Sequence, residues 1–236
     1  MDNIYYKIYR DYAKQIQNGI LRPHSKLPSE NELAEAYTTS RETVRKGLNL
    51  LAQNGYIQKV KGKGSFVLPI DRFDFPVSGL VSFKELAAKM RESPVTRVVS
   101  LEASLAGEEI ASRLKVGPDE PIWKVVRTRT MDGEAIILDK DWFLQSCVPD
   151  LTKEICEDSI YQYLEKTMDI PISFAKKVIT VEEATEEDSS LLDLTRHELI
   201  VVVRNYVHLE DAQLFQYTES RHRPDKFRFV DFARRQ

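Results

Sequence analysis

Residues 27–51 read LPSENELAEAYTTSRETVRKGLNLL, and this stretch decides the fold of the first part of the chain. Ser29 and Glu32 fit a capping box, in which a hydroxyl and a carboxylate bind the free amides at a helix start. Thr39 and Glu42 repeat the same spacing. The stretch therefore predicts two helices in close succession, the first of them ending at about residue 38.

The second of these helices separates an apolar face from a basic one. We expect it to run from about residue 40 to residue 54, with Gly55 as its left-handed terminal residue. Arg41 and Arg45 lie one turn apart, away from the apolar positions Val44, Leu48 and Leu51. Two helices joined by a short turn, with arginines early in the second, are typical of a helix-turn-helix that reads the major groove. The alternative is a solvated helix face, on which the arginines pair with Glu42 or with water.

A basic hairpin follows these helices. Residues 56–60 and 65–68 read as two strands, and Lys61-Gly62-Lys63-Gly64 forms the turn between them. Glycine permits positive φ and close backbone approach, while the lysines supply charge. With an amphipathic helix over about residues 4–18, the whole unit is predicted to be a winged helix-turn-helix.

The remainder of the chain predicts an α+β domain. Residues 69–76 contain two prolines and are expected to be a linker between a DNA-binding domain at 1–68 and an effector-binding domain at 77–236. Helices interspersed with hairpins, one of them turning at Asp132-Gly133, indicate a mainly antiparallel sheet. The predicted helices are 82–90, 107–114, 158–168 and 185–194, and the predicted strands are 95–101, 122–130, 135–139, 172–181, 199–208, 214–222 and 227–232.

Charge is divided unevenly between the two parts. The chain has 34 basic and 37 acidic residues, a net charge of −3. Residues 1–68 hold 11 of the basic and 6 of the acidic residues, and residues 69–236 hold 23 and 31. A basic module joined to an acidic one indicates that the first meets a polyanion.

Composition also limits the class of protein. No stretch approaches the ~18 apolar residues of a membrane-spanning helix, and no secretory signal is visible. The two cysteines, Cys147 and Cys156, have no metal-ligand spacing, so we expect a cytoplasmic protein without a structural disulfide. The histidines and serines fit no catalytic motif, so neither an enzyme nor a cofactor is expected.

Two clusters in the second part could bind ions. The acidic residues between Glu182 and Asp188 could form a cation site, but a solvated helix N-terminus explains them better. Arg127 and Arg129 are two residues apart on a predicted strand, so both point to the same face. Two guanidiniums there could bind a phosphate or a carboxylate, and the alternative is an exposed strand face that pairs with neighbouring acids.

The N-terminal motifs resemble those of the GntR family of bacterial transcription regulators. The matching segments are residues 27–33, 40–45, 55–57 and 61–67, in the family's order and spacing. The resemblance implies a homodimer on palindromic operator DNA, with a contact surface made by Ser29, Asn31, Ser40, Arg41, Thr43, Arg45, Lys61, Gly62 and Lys63. Many members have Arg where this chain has Asn31, so a contact there would be shorter and uncharged.

The chain from Phe75 onward resembles the UTRA effector-binding domain of the HutC subfamily, which is similar in fold to chorismate lyase. The matching segments are residues 78–83, 127–129, 159–161 and 217–223. In relatives that bind sugar phosphates, such positions hold the ligand. The resemblance thus assigns the phosphate to Val81, Ser82, Phe83, Arg127, Arg129 and Ser159, and the sugar to Tyr161, Lys177 (of the Lys176-Lys177 pair) and Glu219.

Residues 75–86, 137–141, 151–157 and 215–234 most resemble the branch of the subfamily that represses trehalose genes and responds to trehalose 6-phosphate. This implies a repressor that leaves its operator when the sugar phosphate binds. Two other functions stay open at this point. One is a regulator of the same architecture with another sugar phosphate or a small acid as its effector, and the other is a lyase-like enzyme with a DNA-binding appendage.

Overall fold

The structure, a computed structural model, describes residues 3–69, 75–76, 95–194 and 199–230. These residues fall into two compact units. The first contains residues 3–69 with two short strands at 75–76 and 229–230, and the second contains residues 95–194 and 199–227. The predicted linker at 69–76 stays a prediction as a boundary. Within the described residues, no helix is long and apolar enough to cross a membrane.

The first unit is a winged helix-turn-helix, as predicted. It consists of α1 (Ile4–Gln17), α2 (Glu30–Ala36), α3 (Arg41–Gln53), β1 (Ile57–Val60) and β2 (Gly64–Val67). The strands β1 and β2 pair antiparallel and form the wing. Ile8 of α1, Leu33 of α2 and Val44 of α3 meet in one apolar core, which joins all three helices. Gly55 ends the third helix with φ of 74°, which confirms its predicted left-handed conformation.

Two short strands, β3 (Phe75–Pro76) and β10 (Phe229–Val230), pair parallel to each other. The strand predicted at 227–232 begins at Phe229, two residues later than predicted, and residues 231–232 lie outside the described part of the chain.

The second unit is built on a six-stranded sheet in which all neighbouring strands are antiparallel. Its spatial order is β4-β5-β6-β9-β8-β7. The strands are β4 (Val95–Leu105), β5 (Pro121–Met131), β6 (Glu134–Leu144), β7 (Ile172–Glu183), β8 (Leu199–Leu209) and β9 (Leu214–His222). Its helices are α4 (Gly107–Leu114), α5 (Lys153–Asp158), α6 (Ile160–Lys166) and α7 (Glu186–Leu191).

The helices cover both faces of this sheet. Cys156 of α5 and Leu164 of α6 pack with Val125 and Phe143 over one face. Leu114 of α4 packs with Trp142 and Tyr217 on the other face, and α7 contributes to a separate cluster around Leu138. Each face of the sheet is therefore shielded in part, and polar side chains on its strands lie inside the unit.

One local prediction is wrong, one differs in its bounds, and one falls outside the described residues. The second capping box does not form at Thr39, because Ser40 is the cap of α3 and its Oγ accepts from the Thr43 amide. The helix predicted at 158–168 is α6, which runs over Ile160–Lys166, and the preceding helix α5 was not predicted. Ser159 has an extended backbone, with φ of −158°, and separates α5 from α6. The predicted helix at 82–90 lies outside the described residues.

Candidate functional site

The first candidate site is the surface where α2 and α3 begin. Ser29 caps α2, and its capping box with Glu32 is complete, as predicted. Ser40 caps α3, and its hydroxyl also lies 3.0 Å from that of Thr43. These caps fix the first turns of both helices. The hydroxyl groups and backbone amides at the two helix N-termini therefore have defined positions. Such groups are common donors to DNA phosphates.

An acidic residue organises the cations of this surface. Glu30 accepts from Arg45 Nη2 at 2.9 Å and from Arg45 Nε at 3.3 Å, a two-point contact. Arg41 and Lys59 lie 3.9 and 4.0 Å from the same carboxylate. The hydrogen bond from Arg45 is the largest influence on the pKa of Glu30 and lowers it. Arg45 and Arg41 nonetheless stay exposed, at 52% and 62% of their side chains.

A cleft runs between the start of α2 and the wing. It is lined by Ser29, Asn31, Arg41, Lys61 and Gly62, among other residues. Gly62 has φ of 74°, and among the described residues other than its two chain neighbours no atom lies within 4 Å of the position a Cβ would take. The wing tip is therefore a left-handed turn that is open to close approach. Lys63, beside it, is exposed. The sequence-predicted DNA contacts thus lie together on one basic surface.

The second candidate site lies inside the sheet of the second unit. Arg127 and Arg129 of β5 are 6% and 7% exposed. Arg127 Nη2 donates to Asp141 Oδ2 at 2.6 Å, and Arg129 Nε donates to Asp139 Oδ2 at 2.8 Å. The arginines do pair with acids, but they do so in the interior and not on an exposed strand face. A buried pair of this kind is expensive to break and rarely placed for stability alone.

The end of α5 completes the surroundings of Arg127. Its Nη1 donates to the Cys156 carbonyl at 3.1 Å, which is available because α5 ends two residues later. Its Nε is buried and has no hydrogen-bond partner in the described part of the chain. Ser159, at the break between the helices, is 6% exposed and caps α6. Among the described residues, one charged donor is therefore buried without an acceptor, and a bound anion would supply one.

Several titratable groups on the same side of the sheet as the two arginines have shifted pKa values. Burial opposes the charge of Asp139, yet the two guanidiniums and the Ser220 hydroxyl lower its pKa to about 2. Burial lowers the pKa of His222 to about 4, against the attraction of Asp139, and it lowers the pKa of Lys177 as well. Burial raises the pKa of Tyr161, whose hydroxyl donates to Gln216 Oε1 at 3.0 Å. Shifted pKa values of this kind occur at functional sites and also in structural ion-pair networks.

One predicted sugar contact is misplaced. Glu219 pairs across the sheet with Lys140, while Arg127 pairs with Asp139, so Glu219 projects from the opposite face. It binds Arg204 and Arg221 there, at 3.1 and 2.9 Å. The expectation that Glu219 faces the sugar is therefore corrected. Of the other predicted contacts, Val81, Ser82 and Phe83 lie outside the described residues.

The acidic cluster also differs from its prediction. Asp188 is fully buried and accepts two hydrogen bonds from Arg221, at 2.7 and 2.8 Å. Glu182 binds Arg204, and the hydrogen bond from that arginine lowers the pKa of Glu182 to about 2. Thr185 caps α7, and its capping box with Asp188 is complete. The cluster is thus only in part a solvated helix start, because two of its acids are held by arginines.

Sequence reasoning missed the acids that hold the two arginines. In a regular hairpin closed at Asp132-Gly133, Arg127 would pair with Leu138, and Asp139 would point away from it. A bulge in β6 near Ile136 shifts the register by one residue, so that Arg127 pairs with Asp139. The sequence does show two acids at alternate positions, Asp139 and Asp141, which indicates that they share one face of the strand. It does not show the bulge that puts this face on the side of the arginines.

Comparison with known proteins places both units. Residues 4–67 match the bacterial regulatory proteins of the gntR family, and residues 89–228 match the UTRA domain. The HTH-type transcriptional regulator TreR of Bacillus subtilis (strain 168) is 56% identical over 233 residues, covering 99% of this chain and 98% of that protein. The repressor NagR of the same organism is 30% identical, over 98% of this chain and 95% of its own length.

Two solved structures agree with this placement. The possible transcriptional regulator YydK of B. subtilis has a TM-score of 0.78 and 26% identity, covering 98% of this chain and 99% of its own. The effector-binding domain of the B. subtilis trehalose repressor has a TM-score of 0.57 and 55% identity, covering 60% of this chain and 99% of its own. The chain is therefore similar to such regulators in both units.

Proposed function

Because this chain belongs to the GntR family of bacterial regulatory proteins and carries a UTRA domain, we propose that it is a cytoplasmic repressor of genes for trehalose uptake and use. Trehalose 6-phosphate would be the effector that releases it from its operator. The 56% identity to TreR over nearly the whole chain, with 55% identity to a domain described as that of a trehalose repressor, supports this assignment. As a member of a family of transcription regulators, the protein is not an enzyme.

On the operator, two copies of the first unit would bind the halves of an inverted repeat. Arg41, Thr43 and Arg45, at the start of α3, would enter the major groove, where arginine reads guanine with two hydrogen bonds. Ser29, Ser40 and Asn31 would contact the backbone or base edges beside it. Lys61, Gly62 and Lys63 would bring the wing against the minor groove.

In the second unit, the phosphate would bind at Arg127, Arg129 and Ser159. The observation that carries this assignment is the buried Arg127 Nε, which has no acceptor among the described residues and lies next to a second buried guanidinium. Asp139 and Asp141 orient the two arginines. When the phosphate binds, some of the arginine N–H groups would donate to it instead of to these carboxylates. Tyr161 and Lys177 lie on the same side of the sheet and would face the sugar. The family resemblance adds Val81, Ser82 and Phe83 to the phosphate contacts.

Release from DNA follows from linkage. The effector can favour the DNA-free arrangement only if it binds that arrangement more tightly than the DNA-bound one. The second unit would therefore have two arrangements that differ in affinity for the sugar phosphate, and the operator would select the weaker-binding one.

The test is release of an inverted-repeat operator in a gel shift titrated with trehalose 6-phosphate. Replacing both Arg127 and Arg129 by Ala should leave operator binding intact and abolish release. Because each broken buried pair can cost about 3–5 kcal/mol, Arg127→Lys is tested as well. It keeps the charge but lacks Nε, so release should need at least tenfold more effector.

Arg97→Lys is the matched control, since Arg97 is an exposed residue of the adjacent strand and its variant should respond normally. Normal release from both Arg127 variants would refute the phosphate site. Release by another sugar phosphate but not by trehalose 6-phosphate would refute the effector and leave the architecture standing.

A further inference from the structure

A row of polar side chains crosses the sheet of the second unit on the face that carries Arg127. Asp141 pairs across the strands with Thr218, Thr218 with Asn205, and Asn205 with Lys177. Directly paired residues of an antiparallel sheet project to the same side, so these four side chains form one line over β6, β9, β8 and β7. We refer to them as the polar row.

The polar row begins at the anion site. Asp141 Oδ2 accepts from Arg127 at 2.6 Å, and its Oδ1 accepts from Gln216 Nε2 at 3.1 Å. Gln216 in turn accepts from the Tyr161 hydroxyl. A ligand group that leaves the two arginines along the sheet therefore meets hydrogen-bonding side chains without interruption.

Asn205 is the member of the row whose hydrogen bonds are incomplete. Its Nδ2 donates to Thr218 Oγ1 at 2.9 Å, while its Oδ1 is buried with no partner in the described part of the chain. If the amide oxygen and nitrogen are exchanged, Nδ2 lacks a partner instead, so one end of the amide has no partner among the described residues in either assignment. Unpaired buried polar groups are rare in proteins and require an explanation.

Packing does not explain this residue. On the same face of β8 its neighbours along the strand are Val203 and Val207, which are buried at 8% and 0% exposure. An apolar residue at position 205 would continue that surface. The polar amide is therefore retained at the expense of packing, which is the pattern of a ligand contact.

We infer that the polar row around Asn205 is the subsite for the second, unphosphorylated ring of a disaccharide phosphate. Asn205 lies on β8, three strands from Arg127 on β5, and three strand spacings span about 14 Å. A single hexose phosphate held at the arginines covers β6 and β9, and a second ring is needed to reach β8. The Asn205 amide then binds a hydroxyl of that ring, beside Thr218 and Lys177.

This inference rests on the proposed function, because it needs the phosphate at Arg127 and Arg129. It extends that function by assigning to the polar row the selection of a disaccharide phosphate over a monosaccharide phosphate. Recognition of a hydroxyl by a buried amide discriminates strongly, since a ligand without the hydroxyl leaves the amide unpaired.

The experiment is calorimetric titration of the full chain with trehalose 6-phosphate, with glucose 6-phosphate as a competitor. Asn205→Leu and Asn205→Ala should lower the affinity for trehalose 6-phosphate at least tenfold. They should change the affinity for glucose 6-phosphate, obtained from the competition, less than twofold. The ligand-free melting temperature should stay the same or rise, because the unpaired oxygen is removed. A purely structural role would lower that temperature.

Gln213→Ala is the control, an amide truncation at an exposed position before β9, and it should change neither affinity. Wild-type affinity for trehalose 6-phosphate in both Asn205 variants overturns the inference, and so does an equal loss for both sugar phosphates. These outcomes differ from failure of the proposed function, in which wild type does not bind trehalose 6-phosphate or the Arg127/Arg129 double variant binds it normally.

Discussion

At the scale of single residues, Glu30 is an acid at the centre of a surface proposed to meet DNA phosphates. It lies within 4.0 Å of Arg41, Arg45 and Lys59, and its low pKa keeps it ionised at neutral pH. A free arginine loses much rotational freedom when it is fixed on a base. Glu30 restricts Arg45 before DNA binds, but its charge repels the phosphates. We therefore expect Glu30 to lower the affinity for DNA of any sequence and to raise the preference for the operator over other DNA.

Glu30→Gln should reveal both effects. Removing one negative charge near the phosphates is worth about 1 kcal/mol per protomer, so the affinity of a dimer for a random-sequence duplex should rise about thirtyfold. Affinity for the operator should rise less or fall, because Arg45 is no longer held by an ion pair. Fluorescence anisotropy with both duplexes gives the ratio.

The matched control is Glu42→Gln, which removes the same charge from α3 at a residue paired only weakly, with Lys46 at 3.8 Å. It should raise both affinities alike. A constant operator preference in the Glu30 variant would contradict a positioning role.

At the scale of elements, the first unit depends on the contact between α1 and α3. Gly47 of α3 allows it, since a Cβ there would lie 2.8 Å from the Tyr5 carbonyl oxygen and 3.1 Å from Ile8 Cγ2. The backbone carbonyl cannot rotate away as a side chain would. The close packing of α1 on α3 therefore requires glycine at position 47, although glycine lowers the intrinsic stability of the helix.

Gly47→Ala should destabilise the first unit in spite of a better helix propensity. Alanine gains about 1 kcal/mol in a helix interior, whereas overpacking costs about 1–3 kcal/mol, and a backbone contact lies at the upper end. We expect a net loss of about 1–2 kcal/mol in urea unfolding followed by circular dichroism. Tryptophan fluorescence should not change, because Trp123 and Trp142, the two tryptophans of the chain, lie in the second unit.

Gln53→Ala, at an exposed position of the same helix, serves as the comparison. It changes helix propensity without a steric consequence and should leave the midpoint nearly unchanged. A stabilised Gly47 variant would mean that α1 and α3 separate at little cost.

Elements were predictable where local chemistry determines them. The Ser29 box, the Gly55 terminus and the Asp132-Gly133 turn each depend on a few neighbouring residues, and each is where the sequence indicates. The face on which a strand residue lies depends on register over the whole hairpin. One bulge therefore brought Asp139 to the arginines, and the strand pairing took Glu219 away from them.

At the scale of the whole molecule, the chain carries two kinds of cationic site. The arginines of α3 are more than half exposed, while those of β5 are almost fully buried. Mobile ions screen exposed charges strongly and buried ones weakly. The two proposed activities should therefore respond differently to salt, although one chain performs both.

Operator binding should depend steeply on salt and effector binding should not. If a dimer neutralises about eight phosphates, the logarithm of the operator affinity falls against the logarithm of salt concentration with a slope near −7. Removing the Lys61 and Lys63 charges by Lys→Gln should make that slope shallower by about 3–4 per dimer, since two phosphate contacts are lost from each wing. The affinity for trehalose 6-phosphate, measured by calorimetry in the same buffers, should change by less than about threefold from 50 to 200 mM salt, because Arg127 and Arg129 are almost fully buried and salt screens buried charges weakly. An operator slope that the wing substitutions leave unchanged would remove the wing from the interface, and an effector affinity that falls as steeply as operator binding would place the phosphate on the surface of the domain.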